Sequence, residues 1–232
     1  IQAAAEAARA GHAANRQAPG PIMLALSLLN FVPDEVQPMI TQYMAGDALP
    51  DLRLGYARTL IDLEQLQASL SQLQQLTKQY PEFAPGWLFL GLLQSDLSQT
   101  LQSEQSLKQY LKLADRVKDL DLSGGLTEAY FALSQMAQKQ GRWEQADEWL
   151  ARIPGSADPL KVASRRAALL AQQGRKAEGL LVLEQLPVSS PQAAKLKALA
   201  ISQWLREDKQ VTAAFTTIEK ALAQFPTDTD LQ

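Results

Sequence analysis

The sequence predicts an all-α protein made of stacked antiparallel helix pairs. Three observations carry this. Between residues 50 and 226 apolar residues recur at intervals of three and four, as in Leu60, Leu63, Leu66, Leu70, Leu73 and Leu76, the spacing that puts side chains on one helix face. Strand-like alternation is absent, and the 12 prolines mostly fall between the apolar runs, where they interrupt no helix. The runs also superpose at a constant offset: Ala57 and Gly91, Ser69 and Ser103, and Leu73 and Leu107 are each 34 residues apart, a period that belongs to helical repeats.

Taken in order, Ile1 to Asn15 is an alanine-rich helix already under way at the first residue. It reads as the second helix of a unit whose first is missing. Residues 20–46 form a shortened, degenerate pair, so 1–49 is a degenerate N-terminal region. Within it Pro38 either kinks a helix starting near Pro33 or marks that helix's true start. Pairs are expected at 50–83 and 84–116, then at 127–157, 160–189 and 194–226. Asp158-Pro159 and Ser190-Pro191 each supply an N-cap followed by a proline in the first turn. Gly141 and Gly174 sit mid-pair, where a short turn needs positive φ. Ser69 to Ser103 is 34 residues but Ser103 to Ala146 is 43. The surplus places an inserted linker at 117–126, with Gly124-Gly125 ahead of a helix capped by Thr127, that bends the stack or splits it in two. Residues 227–232 look like the start of another unit, so both ends read as cut from a longer chain.

These residues resemble the tetratricopeptide repeat, whose signature runs W-x2-L-G-x2-Y, a small residue, F and P. Trp87-x2-Leu90-Gly91 opens one unit, with Ser103 as the small residue and Leu107 in place of Phe. Tyr130-x2-Leu133-Ser134 opens the next, followed by Gly141-Arg142-Trp143-x2-Ala146 and Leu150. Gly174 and Gly179 mark a fourth unit, Ala214, Ala221-Leu222 and Pro226 a fifth, and Pro81 closes the second. Gln94 where Tyr is usual and Arg166 where Leu is usual are departures. The resemblance implies a right-handed superhelical solenoid in which small residues let paired helices approach and large ones fill the seam to the next pair. Trp143 and Trp149 belong to such a seam, and Trp204 is expected to lack cover near the C-terminal end. Similarity to bacterial members of the family also implies a periplasmic or outer-membrane-associated location.

Composition narrows the chemistry. Lys and Arg number 22 against 25 Asp and Glu, a net charge of −3 that does not favour nucleic-acid binding by overall charge. There is no cysteine, which excludes disulfides and thiolate ligands, and the single histidine, His12, provides no histidine cluster for a metal. No apolar run is long enough to span a bilayer. Asp119-x-Asp121-x-Ser123-Gly124 imitates the start of a calcium loop, but the twelfth position, which needs a bidentate Glu, is Tyr130. His12 has no acid within one turn to orient it and reads as a solvent-facing or packing residue. The expectation is a non-enzyme without metal or cofactor.

Two candidate sites follow from the resemblance. The positions that line the concave groove of such solenoids hold Leu54, Leu88, Leu92 and Phe131, rimmed by Arg58, Asp96 and Gln135. An aliphatic groove suits an apolar or amphipathic partner segment, although neighbouring units covering these residues would explain the same letters. Residues 161–197 carry seven bases against two acids, and Lys161 and Arg165, four apart, project from one helix face. They match two positions of a carboxylate clamp for an acidic peptide terminus, but Leu88, Leu92 and Ala132 stand at the other three. A solvated basic face is the alternative. The leading function is an interaction scaffold that binds a protein or peptide. Alternatives are an accessory region of a larger enzyme or of a secretion or assembly machine, a self-associating spacer, and RNA binding, for which the basic stretch lacks stacking aromatics.

Overall fold

Proline marks many of the helix starts. The computed structural model describes residues 1–116, 123–153 and 159–224, and α2, α3, α4, α6 and α12 each carry a proline in the first two positions, where φ is preset and no intrahelical N–H is lost. The elements are α1 Gln2–Ala14, α2 Pro19–Leu28, α3 Pro33–Met44, α4 Pro50–Asp62, α5 Leu66–Gln79, α6 Ala84–Asp96 and α7 Thr100–Ala114, then α8 Ser123–Lys139, α9 Trp143–Ala151, α10 Pro159–Gln172, α11 Lys176–Glu184, α12 Pro191–Glu207 and α13 Val211–Gln224. The fold is all-α: among the described residues there is no strand. The chain divides into two compact units, Ile1–Leu120 and Asp121–Gln232.

Two local expectations are resolved. The third helix starts at Pro33 and contains Pro38, which lies on its exposed side and forgoes one backbone bond, so Pro38 is not the helix start. Helix α8 already starts at Ser123, inside the stretch expected as linker, so Gly124 and Gly125 occupy its first turn. First-turn N–H groups have no intrahelical acceptor, which makes glycine less damaging there than in a helix interior.

In the first unit α4 pairs with α5 and α6 with α7, while α1, α2 and α3 pack on one another ahead of them. In the second unit the pairs are α8/α9, α10/α11 and α12/α13. All five of these helix pairs turn the same way. One residue takes positive φ: Glu64 at 59°, Ser98 at 59°, Gly141 at 70°, Gly174 at 78° and Lys209 at 62°. The next residue donates its N–H back to the carbonyl five positions earlier, as in Gln99 to Gln94 and Arg142 to Ala137, both 2.8 Å. The positive-φ residue itself donates to the carbonyl three positions earlier, for example Ser98 to Ser95 at 3.0 Å. This is the Schellman closure of a helix C-terminus.

The residue after the turn then accepts from the N–H of a small residue four positions on: Ser69, Ser103, Ala146, Gly179 and Ala214. Each is buried, and so is the residue twelve positions before it: Ala57, Gly91, Ser134, Ala167 and Ser202. Here the helices of a pair cross. Ser69 Oγ donates to the Ala57 carbonyl at 2.8 Å and Ser103 Oγ to the Gly91 carbonyl at 2.7 Å. A methyl group on Gly91 would lie 2.6 Å from Leu107 Cγ, and one on Gly179 would lie 2.9 Å from the Ala167 carbonyl oxygen. Trp204, expected to lack cover, is partly buried and lies over Gly179, 2.7 Å from the position of that missing methyl.

Arg53 departs from the pattern of its neighbours. It sits 34 residues before Trp87, at the position the aromatic occupies in the next unit, and is completely buried. Among the described residues it forms no ion pair. Nη2 donates to the carbonyls of Met44 (2.7 Å) and Gly46 (3.3 Å), and Nη1 to Oε1 of Gln72 (2.8 Å) and of Gln75 (2.7 Å). Burial lowers its pKa from the usual arginine value, opposed by Tyr80. The cation lies against the C-terminal end of α3, the negative pole of that helix.

Two outcomes test this packing. Gly179→Ala forces its methyl group against backbone and the Trp204 ring and should cost about 1–3 kcal/mol in a denaturant melt; a melt matching the parent would contradict the crossing. Arg53→Met keeps the apolar stem but leaves the buried Met44 carbonyl unpaired, with an expected loss of about 1–3 kcal/mol in the same measurement. An unchanged midpoint would mean that the guanidinium contributes nothing net.

Candidate functional site

First helices pack on first helices, α4 against both α2 and α6 in one unit and α10 against α12 in the other. The side of each stack formed by first helices is therefore a continuous face within its unit. The sequence-predicted groove residues fall on these faces, but in different units: Leu54, Arg58, Leu88, Leu92 and Asp96 in the first, Phe131 and Gln135 in the second.

In the first unit Leu54 is only 9 % exposed and belongs to the core with Ala57, Leu73 and Leu90. It packs rather than lining an open surface, because the apolar faces of α5 and α6 close over it. Leu88 and Leu92 are half-buried and one turn apart on α6. Beside them the Arg58 guanidinium lies 5.2 Å from the centre of the Phe89 ring, a cation–π contact between α4 and α6. Asp96 is exposed at the end of α6.

In the second unit the structure joins two residues assigned to separate sites. Lys161 Nζ lies 4.7 Å from the centre of the Phe131 ring and 3.9 Å from Glu128 Oε1. An acidic ligand would have to compete with that ring and carboxylate for Lys161. Arg165 is exposed on the same helix, and Gln135 is exposed on α8. Arg166, the departure from the repeat pattern, grips Asp147 on α9 with two bonds of 2.7 and 2.9 Å. Those bonds raise the Arg166 pKa, against the effect of burial.

A feature with no counterpart in the sequence reading lies on the second helices of this unit. An open cleft of about 590 Å³ is bounded by α9, α10 and α11. It is lined by the first two turns of α9, the C-terminal half of α10 and the outer side of α11. Trp143, expected only in a helix seam, is partly buried in the core and also lines this cleft. Trp149 stays in the packing, stacked on Tyr130 with ring centres 6.0 Å apart. At the cleft mouth Arg175 holds Glu178 through bonds of 2.7 and 2.6 Å, which lower the Glu178 pKa and raise that of Arg175.

The remaining chemical candidates are placed as follows. His12 is buried, with Nε2 3.1 Å from Gln42 Oε1, a contact joining α1 to α3. Asp119 and Asp121 of the calcium-loop imitation lie outside the described residues, and Ser123 and Gly124 belong to α8. Among the described residues no group of three or more His, Cys, Asp or Glu is placed to hold a metal ion. None of the described helices is long and apolar enough to cross a membrane.

No protein-family model and no curated protein sequence matches the chain. Solved structures do. The C-terminal part of a tetratricopeptide repeat-containing protein from Cytophaga hutchinsonii superposes with a TM-score of 0.64 at 13% identity, covering 98% of this chain and 91% of that one. A tetratricopeptide repeat protein from Parabacteroides merdae gives 0.58 at 14% identity, covering 94% and 84%. YrrB, described as a tetratricopeptide repeat protein with an unusual peptide-binding site, gives 0.50 at 14% identity, covering 78% and 88%. With the five matching pairs, their turns and their small-residue crossings, these likenesses show that the chain has the tetratricopeptide-repeat fold.

Proposed function

We propose that this protein is a non-catalytic scaffold that binds a peptide or protein segment on the first-helix face of its N-terminal unit. The supporting observation is the pair Leu88 and Leu92, half-open and one turn apart on α6. Arg58 is beside them and Asp96 is exposed at the end of the same helix, so a charge of each sign is available to orient an amphipathic ligand. Apolar burial is worth about 25 cal/mol per Å² before the costs of association, so two leucines and a matching ligand face support a modest, exchangeable complex. The Phe131 and Lys161 pair offers a second apolar and cationic contact in the C-terminal unit.

The reading is tested by Leu92→Asp. Peptides selected from a random library against the parent protein are expected to bind this variant at least tenfold more weakly, a loss of about 1.4 kcal/mol, with a thermal midpoint close to the parent's. Unchanged peptide binding would contradict the proposal. A strongly lowered midpoint would contradict it too, because it would place Leu92 in a seam where a buried carboxylate is not tolerated.

A further inference from the structure

We propose that the cleft between α9, α10 and α11 is a second docking site, which accepts a basic amphipathic helix from a partner protein. Its wall chemistry is mixed in a particular way. Leu170 and Val182 are partly exposed and Leu181 is 49 % exposed, so among the described residues the cleft presents open aliphatic surface. Four carboxylates, Glu144, Asp147, Glu148 and Glu178, line it with two arginines. Both arginines are already engaged, Arg166 by Asp147 and Arg175 by Glu178, each through two short bonds.

That pairing leaves Glu144 and Glu148 as the uncompensated charges. They are exposed, one helical turn apart on α9, and hold no ion pair among the described residues. An acidic ligand would meet net negative charge and two arginines it could recruit only by breaking their bidentate bonds. A ligand with lysines or arginines beside an aliphatic face meets matching charge along the rim and matching surface in the floor.

The shape points to a helix. Two short helices flank a third that forms the floor, and α9 with its 9 residues runs about 14 Å at 1.5 Å per residue. Two to three turns of a guest helix fit alongside it, with apolar anchors at i, i+3 or i+4, and i+7 reaching inward. The site shares no residue with the Leu88 and Leu92 face, which belongs to the first unit.

Binding of a labelled synthetic helix of leucine and lysine, with leucines at that spacing, tests the proposal by fluorescence anisotropy, alongside the same helix with glutamate for lysine. The lysine helix should bind the parent and the glutamate helix should bind at least tenfold more weakly. Both Glu144→Lys with Glu148→Lys and, separately, Leu181→Ser should weaken the lysine helix at least tenfold while far-UV circular dichroism stays unchanged. Glu6→Lys with Asp34→Lys, an equal charge reversal in the first unit, should leave its binding as in the parent. The proposal is overturned if the lysine helix fails to bind, if the glutamate helix binds as well, or if the first-unit reversal weakens binding as much as the pair on α9. Loss of helical structure in Leu181→Ser would also overturn it, by showing that Leu181 belongs to the packing.

Discussion

The close crossing of two helices at a pair of small residues is the constraint on which the architecture rests. At Ala57 with Ser69 and at Gly91 with Ser103 the backbones approach closely enough for a serine hydroxyl to reach the opposite helix's carbonyl. The turn fixes the register of the crossing. A Schellman closure at one end delivers a backbone acceptor, and the small residue four positions later donates to it. Turn and crossing are thus one device, and each of the first four pairs buries a leucine beside it, as Leu107 does against Gly91. Leu73, Leu107, Leu150 and Leu183, four residues beyond the small positions, are at most 2 % exposed.

Variation outside that device generates the surfaces. The aromatic position of the repeat is held by Trp87 and Tyr130 in two units but by Arg53 in another, where backbone carbonyls and glutamine side chains replace ring packing. In α9 and α11 the crossings at Ala146 and Gly179 stay buried, while the outer sides of the same helices line the cleft above α10.

Much of the fold was legible in the sequence because its main signal is periodic. The 34-residue offset located the pairs, the small positions and the glycine turns at Gly141 and Gly174. Equivalent turns at Glu64, Ser98 and Lys209 were missed, since their positive φ is imposed by the Schellman bonds and not by the residue type. The start of α8 was missed because two glycines read as linker, whereas a first turn tolerates them. The site was less legible. Arg53 was not singled out, although its offset of 34 from Trp87 puts it at the position an aromatic fills in the next unit, and it is buried. Leu54 was taken for groove lining because its repeat position faces the groove in related folds, but its neighbours here are large enough to enclose it. The cleft was missed because the repeat pattern locates the buried positions of α9, α10 and α11 and not the gap left between their outer sides.

Native-state hydrogen exchange measures the central claim most directly, because it reports how much of each unit must open before a given amide is released. If the crossings hold the pairs together, the amides of Ser103, Ala146, Gly179 and Ala214 should be among the slowest in their units, exchanging only when a pair separates. Amides on the exposed sides of α9 and α11 should exchange faster through local fraying. Exchange at the crossings as fast as at those helix ends would contradict the account and place the stability of the stack elsewhere.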